Sequence, residues 1–142
     1  MLGGDLANLD AVVFAGAGVL GVNHIGDVTL TQCVGLVGWF EEICTEDRAL
    51  ARQYICDYYT PEEEIYKSFI SLAMSTVAKW CIVPIQDYLG LDNSCRTNKP
   101  STLGCNWRWR VRKQQLSEEL KQEIRTLTLR YGRMNWKNYK EQ

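Results

Sequence analysis

The sequence predicts an α/β fold, mostly helical with one or a few parallel strands, laid out as a partial, closing piece of a β/α barrel. Three observations predict it. Apolar residues recur at helical spacing across 62–79 and again across 118–131. Between them, Ile82-Val83-Pro84-Ile85 reads as a buried strand. That strand empties at Gln86-Asp87 into a polar loop punctuated by Gly90, Asn93, Asn98, Pro100, Gly104 and Asn106. A strand ending in polar residues and opening into a long loop is how such a barrel offers side chains to a ligand.

Taken in order, residues 1–36 are Gly- and Ala-rich and weakly patterned, with short strands expected at Ala11–Phe14 and Val28–Thr31. Thr45 reads as an N-cap with Glu46 and Asp47 in the first turn, predicting a helix over 46–58. Thr60-Pro61-Glu62-Glu63 is a stronger start: Thr60 caps, Pro61 takes the first helical position and Glu63 completes a capping box. Ile65, Phe69, Leu72 and Thr76 form one stripe of that helix, and Tyr66, Ile70, Ala73 and Val77 form its neighbour. The helix is expected to reach Lys79 and feed a strand over Cys81–Ile85. Ser117 caps a last helix over 118–131, with Leu120, Ile124, Leu127 and Tyr131 on one face and Gly132 as its stop.

At 142 residues the chain is one domain's worth. A closed eight-stranded β/α barrel needs about 250 residues, so at most a part of one fits here. A partial barrel leaves two unpaired sheet edges and an open apolar face, which predicts a marginal, association-prone chain.

Charge is nearly balanced at −1 but uneven: residues 96–142 hold twelve of the sixteen basic residues against four Glu. Such an excess can attract nucleic acid, and the run Trp107-Arg108-Trp109-Arg110-Val111-Arg112-Lys113 alternates aromatic and basic groups as single-strand binders do. A solvated helix face and a few ligand-binding arginines account for both, so no nucleic-acid partner is expected. Amides, guanidinium and indole together suit a sugar, the polar groups for its hydroxyls and the ring for its apolar face.

Six cysteines at 33, 44, 56, 81, 95 and 105 form no C-x-x-C pair, and His24 is the only histidine, so a zinc site is not expected. The near-apolar run Ala11–Val22 is too short and Gly-rich to span a bilayer. Scattered Cys without a signal peptide read as a cytoplasmic protein that meets no membrane. Gly16-Ala17-Gly18-Val19-Leu20-Gly21 matches the dinucleotide fingerprint, which requires a helix opening at Gly18 and a second strand ending in an acid. Gly21–Asp27 does not read as that helix, so nucleotide binding is the weaker alternative. Glu62-Glu63-Glu64 reads as first-turn acids favoured by the helix dipole.

Three segments carry a resemblance: Gln86-Asp87-Tyr88-Leu89-Gly90-Leu91, Arg96-Thr97-Asn98-Lys99-Pro100-Ser101-Thr102 and Asn106-Trp107-Arg108-Trp109-Arg110. In order and spacing they resemble the C-terminal signature of the 4-α-glucanotransferases, glycoside hydrolase family 77. Tyr131-Gly132-Arg133 is similar to the usual family ending, and Thr97 departs from it where Met is usual. The resemblance runs from about Val37 to Arg133. This divides the chain into a poorly matched lead-in, 1–36, and the end of a barrel domain, 37–142.

The resemblance implies transfer of α-1,4-glucan segments between maltooligosaccharides in the cytoplasm, without a cofactor, and a maltooligosaccharide or other α-1,4-glucan as partner. It also implies that Arg96, Asn98, Asp87, Gln86 and Asn106 belong to the substrate loop. Arg96 and Asn98 are the candidates for hydroxyl contacts, and Asp87 for orienting the loop or Arg96. Retaining transfer uses two carboxyl groups about 5–5.5 Å apart. In the family those two lie on strands upstream of anything matched here, and a third lies eight to ten residues before a Gly-Trp pair. Gly38-Trp39 is that pair, which puts Thr31 and Gln32 where the family has His and the catalytic Asp. No catalytic residue is therefore expected in this chain, which would be a truncated piece inactive by itself or a short paralogue. The alternative function is a non-catalytic module that binds α-glucan or a partner enzyme through the 86–110 loop, with self-association through exposed barrel edges.

Overall fold

The computed structural model describes residues 20–24, 27–30, 35–78, 80–98, 102–104 and 106–135, the first two spans as backbone alone. In chain order these form β1 (Leu20–His24), β2 (Asp27–Leu30), α1 (Leu36–Glu42), α2 (Thr45–Ile55), α3 (Ile65–Ser75), β3 (Trp80–Ile82), α4 (Ile85–Tyr88) and α5 (Glu118–Arg130). Single 3-10 turns lie at Glu62–Glu64, Asn93–Cys95 and Lys113–Gln115. The described residues are thus mostly helical with a small sheet, as expected.

The sheet order is β1-β2-β3. β2 and β3 are parallel, in register Val28 to Cys81, and α1 to α3 form the crossover between them. β1 and β2 are antiparallel, Leu20 opposite Leu30, which departs from the expectation of parallel strands only. Two residues separate His24 from Asp27, and a parallel connection needs a dozen or more. The expected strand at Val28–Thr31 is β2. The one at Ala11–Phe14 and the loop Gly16–Val19 lie outside the described residues. Leu20 and Gly21 belong to β1, where the dinucleotide fingerprint needs a helix.

The core is built on α3. Ile65, Phe69, Ile70, Ala73 and Met74 are buried along it, against Leu36, Trp39 and Phe40 of α1 and Ala51 of α2. Trp39 meets Phe69 edge-on, centroids 5.4 Å apart at 89°, a favoured aromatic geometry. Arg48 and Arg52 of α2 lie over the Phe40 ring at 5.7 and 5.6 Å.

Several boundaries differ from expectation for physical reasons. Cys44, not Thr45, is the N-cap of α2, and α2 ends before a left-handed Cys56, closed by Asp57 N–H donating to Arg52 O at 3.1 Å. Thr60 does not cap the next helix: Pro61 precedes the 3-10 turn, and Asp57 Oδ1 accepts the N–H of Thr60 at 3.0 Å instead. α3 stops at Ser75, short of Lys79, and leaves Val77 fully exposed. Ser75 and Thr76 hydroxyls donate to Leu72 O and Ala73 O at 2.7 and 2.9 Å. Such side-chain donors compete with the backbone that would continue the helix.

Arg133 completes the end of α3: its guanidinium donates to Met74 O at 2.6 Å, Thr76 O at 2.7 Å and Ala78 O at 3.1 Å. α5 forms as read, with Ser117 Oγ accepting Leu120 N–H at 3.2 Å, Leu120 buried, Leu127 and Tyr131 against the core, and Gly132 at φ +65°.

The expected strand over Cys81–Ile85 is shorter, and Gln86 and Asp87 do not stand at its end. β3 closes at Ile82, and Pro84 opens α4. Proline favours a helix start, because the N–H it lacks has no partner there. Gln86 and Asp87 therefore leave from one turn of helix in different directions.

Candidate functional site

The polar residues of 86–110 form two clusters around α1 and α4. In the inner one, Asp87 is 1% exposed, the only polar or charged side chain among the described residues that is buried. Its Oδ1 accepts the N–H of Leu36, the first residue of α1, at 2.8 Å. Oδ2 has no hydrogen-bond partner among the described residues. Burial pushes this carboxyl up to about 6, and the Leu36 N–H only partly offsets it. Asp87 therefore fixes the start of α1. Of the two expected roles, orienting the loop or orienting Arg96, the second has no direct contact behind it among the described residues: Arg96 bonds to Asn93 and Glu42 instead.

The outer cluster is Glu42, Asn93 and Arg96. Arg96 Nε donates to Asn93 Oδ1 at 2.7 Å, and Nη2 donates to Glu42 Oε1 and Oε2 at 3.1 and 3.2 Å. Asn93 Nδ2 donates to Glu42 Oε1 at 2.5 Å. The turn bearing them is shaped locally, with Asp92 Oδ1 accepting Ser94 N–H at 2.8 Å and Ser94 Oγ at 2.6 Å. Gly38 lets the turn approach α1: a Cβ there would lie 2.0 Å from Asn93 Oδ1.

Gln86 leaves α4 towards the same turn and donates from Nε2 to Thr97 Oγ1 at 2.7 Å. Thr97 O accepts Trp107 N–H at 2.6 Å, which ties the 102–110 loop to the turn. Asn106 closes that loop on itself, donating to Thr102 O at 3.1 Å. Asn98 is half-buried and makes no hydrogen bond among the described residues. Trp107 stands at φ +64°, uncommon for a non-glycine residue, with its side chain largely exposed, and Arg110 Nη1 donates to the carbonyls of Trp107 and Trp109 at 2.7 and 2.8 Å.

The structure brings Gln86 and Arg96 to one turn, sets Asp87 beneath it, and leaves Asn106 as a loop fastener. Glu42 and Asn93 were not singled out by sequence. Glu42 lies 51 positions from Asn93 and 54 from Arg96, so no local spacing signals the cluster. Thr31 and Gln32 lie outside the described residues. Among the described residues no group of three or more His, Cys, Asp or Glu converges as a metal site, and no helix is long and apolar enough to cross a membrane.

Comparison with known proteins gives a consistent result. The family model described as 4-alpha-glucanotransferase matches residues 32–117. A 4-alpha-glucanotransferase of Synechocystis sp. is 37% identical over 132 residues, covering 91% of this chain and 23% of that protein. One of Clostridium butyricum is 41% identical over 98 residues, covering 68% of this chain and 20% of that protein. Among solved structures, an amylomaltase from Streptococcus agalactiae in complex with acarbose superposes with a TM-score of 0.71 at 32% identity, over 77% of this chain and 22% of that one. The chain thus spans less than a quarter of the length of these relatives. A match over 91% of the chain also carries the similarity upstream of Val37.

Proposed function

The chain belongs to the 4-alpha-glucanotransferase family, and from that premise we propose that it binds α-1,4-glucan on the rim built by residues 86–110 and performs no transfer by itself. The observation that carries this reading is the state of Arg96. Two of its nitrogens are committed to Asn93 and Glu42, while Nη1 has no partner among the described residues. A guanidinium held by Nε and Nη2, with Nη1 uncommitted, suits a sugar hydroxyl, and Asn98 offers an amide two residues on. The exposed Trp107 indole supplies a flat apolar surface. In this reading Gln86, Asp87 and Asn106 hold the rim rather than touch the sugar.

The domain 37–142 is then the closing part of a (β/α)8 barrel, with β3 as its last strand. Trp80 and Ile82, 60% and 55% exposed on β3, support a surface that the rest of such a barrel, or a second copy, would cover. In the complete barrel the activity is transfer of glucan segments between maltooligosaccharides through a covalent glycosyl-enzyme, on carboxylates supplied elsewhere. Cys44, Cys56, Cys81 and Cys95 are free thiols, which suits a reducing cytoplasm.

Calorimetric titration with maltoheptaose and an assay of glucose release from maltotriose test the reading together. Binding without release is expected. Release above a heat-inactivated control would overturn the claim of inactivity, and absence of binding by a folded sample would overturn the glucan site.

A further inference from the structure

We infer that Glu42 is a positioning residue, which through α1 holds Arg96 so that its uncommitted Nη1 meets the glucan; this rests on the glucan-binding reading above. Arg96 is set into the surface, its side chain only 16% exposed, whereas the Glu42 side chain is 60% exposed. A largely desolvated guanidinium needs an opposite charge to stay where it is. Glu42 is the one acidic side chain in salt-bridge contact with it among the described residues.

The contact is shaped by two other residues. Asn93 lies between the pair, accepting from Arg96 and donating to Glu42, so the guanidinium is held by two groups that are themselves joined. Gly38, one helical turn before Glu42, leaves the space Asn93 occupies. Together they hold Arg96 by Nε and Nη2 and leave Nη1 without a partner among the described residues. Without the Glu42 carboxylate, the guanidinium has only the neutral Asn93 amide, and its long stem is free to take other rotamers.

Four variants test this: Glu42→Gln, Glu42→Ala, Arg96→Glu and the exchanged pair Glu42→Arg with Arg96→Glu. Affinity for maltoheptaose, thermal unfolding and the NMR signal of the Arg96 side-chain Nε–H are read on each. Glu42→Ala is expected to weaken maltoheptaose binding about tenfold with the fold intact. Glu42→Gln keeps an acceptor for Asn93 but no charge, and should fall between. The exchanged pair should recover melting temperature without recovering affinity, which separates aiming of Arg96 from a merely structural ion pair. Unchanged affinity in Glu42→Ala, with the wild type binding, overturns the inference and leaves the glucan site standing. Recovery of affinity by the exchanged pair overturns it too. If the wild type binds no glucan, the proposed function fails first, and the inference keeps only its geometry. An Arg96 Nε–H that exchanges no faster in Glu42→Ala than in wild type removes that as well.

Discussion

The carboxylate of Asp87 accepts the backbone N–H of Leu36 at 2.8 Å, joining α4 to the start of α1 across 51 positions of sequence. A carboxylate this buried, with a single donor, is better as a neutral acid than as an anion. Its folded-state value near 6 stands above the ordinary 3.8. The folded chain therefore holds more protons than the unfolded chain between those values, and stability falls as pH rises from about 4 to about 6. The loss from this group is on the order of 2–3 kcal/mol and complete above pH 6. Asp87→Asn, which keeps an acceptor for Leu36, should remove that pH dependence and match or exceed wild-type stability at pH 7. Asp87→Leu should lose about 1–3 kcal/mol, because it leaves the Leu36 N–H without a partner. Urea unfolding at pH 4 and pH 7 measures all three chains.

Gly38 and Asn93 are fitted to one another. Gly38→Ala places a methyl where the Asn93 amide sits and should cost about 1–3 kcal/mol while releasing the 93–96 turn from α1. Asn93→Ala vacates that space, so the double variant should be less destabilised than the sum of the two singles. A double-mutant cycle from denaturant midpoints gives the coupling, and strict additivity would show that the turn does not rest on Gly38.

Arg133 ends α3 from 55 or more positions away, with donors to three carbonyls. Arg133→Ala should destabilise the chain by about 1.5–3 kcal/mol, the range for hydrogen bonds to a charged group. Arg133→Lys should recover only part, because an ammonium cannot span three acceptors as the planar fork does. Thermal melts of the three proteins provide the check, and equal melting of Arg133→Ala and wild type would contradict it.

Asp57 titrates in the opposite sense to Asp87. The Ser68 hydroxyl, followed by the Thr60 N–H, holds its carboxyl down to about 2. Its contribution is present above the ordinary value of 3.8 and is lost as pH falls towards 2. Ser68→Ala should raise the Asp57 value and shrink the stability lost on acidification between pH 4 and pH 2. Carboxyl titration followed by NMR reads the shift directly.

The elements with strong local signals were legible. Ser117, the 4-3-4 spacing of Leu120, Ile124, Leu127 and Tyr131, and Gly132 gave α5 within a residue, because caps and periodicity act along the chain itself. The start of α3 differs from the expectation because Thr60 is drawn into the Asp57 turn, its own N–H donating to Asp57 Oδ1, and Pro61 and a 3-10 turn then precede the helix. The strand at 81–85 was read too long, because Pro84 is equally a strand breaker and a helix opener, and α1 waiting for Asp87 decided between them. Gln86 and Arg96 come to the same turn, Gln86 through Thr97 and Arg96 through Asn93. The contacts that aim Arg96 come from Glu42, 54 positions away, and no local pattern announces an ion pair at that separation.

By itself, the sequence determined the family, the helices with clear caps and stripes, and the loop that carries the polar residues, since these depend on residue order and near-neighbour spacing. Tertiary structure alone decided which of those polar residues face inward and which outward. Asp87 turned to the start of α1, Asn106 closed its own loop, and Arg96 turned to Asn93 and Glu42. Each outcome follows from competition for hydrogen-bond partners among groups far apart in the chain, and packing settles that competition only once α1, α4 and the 93–96 turn lie together.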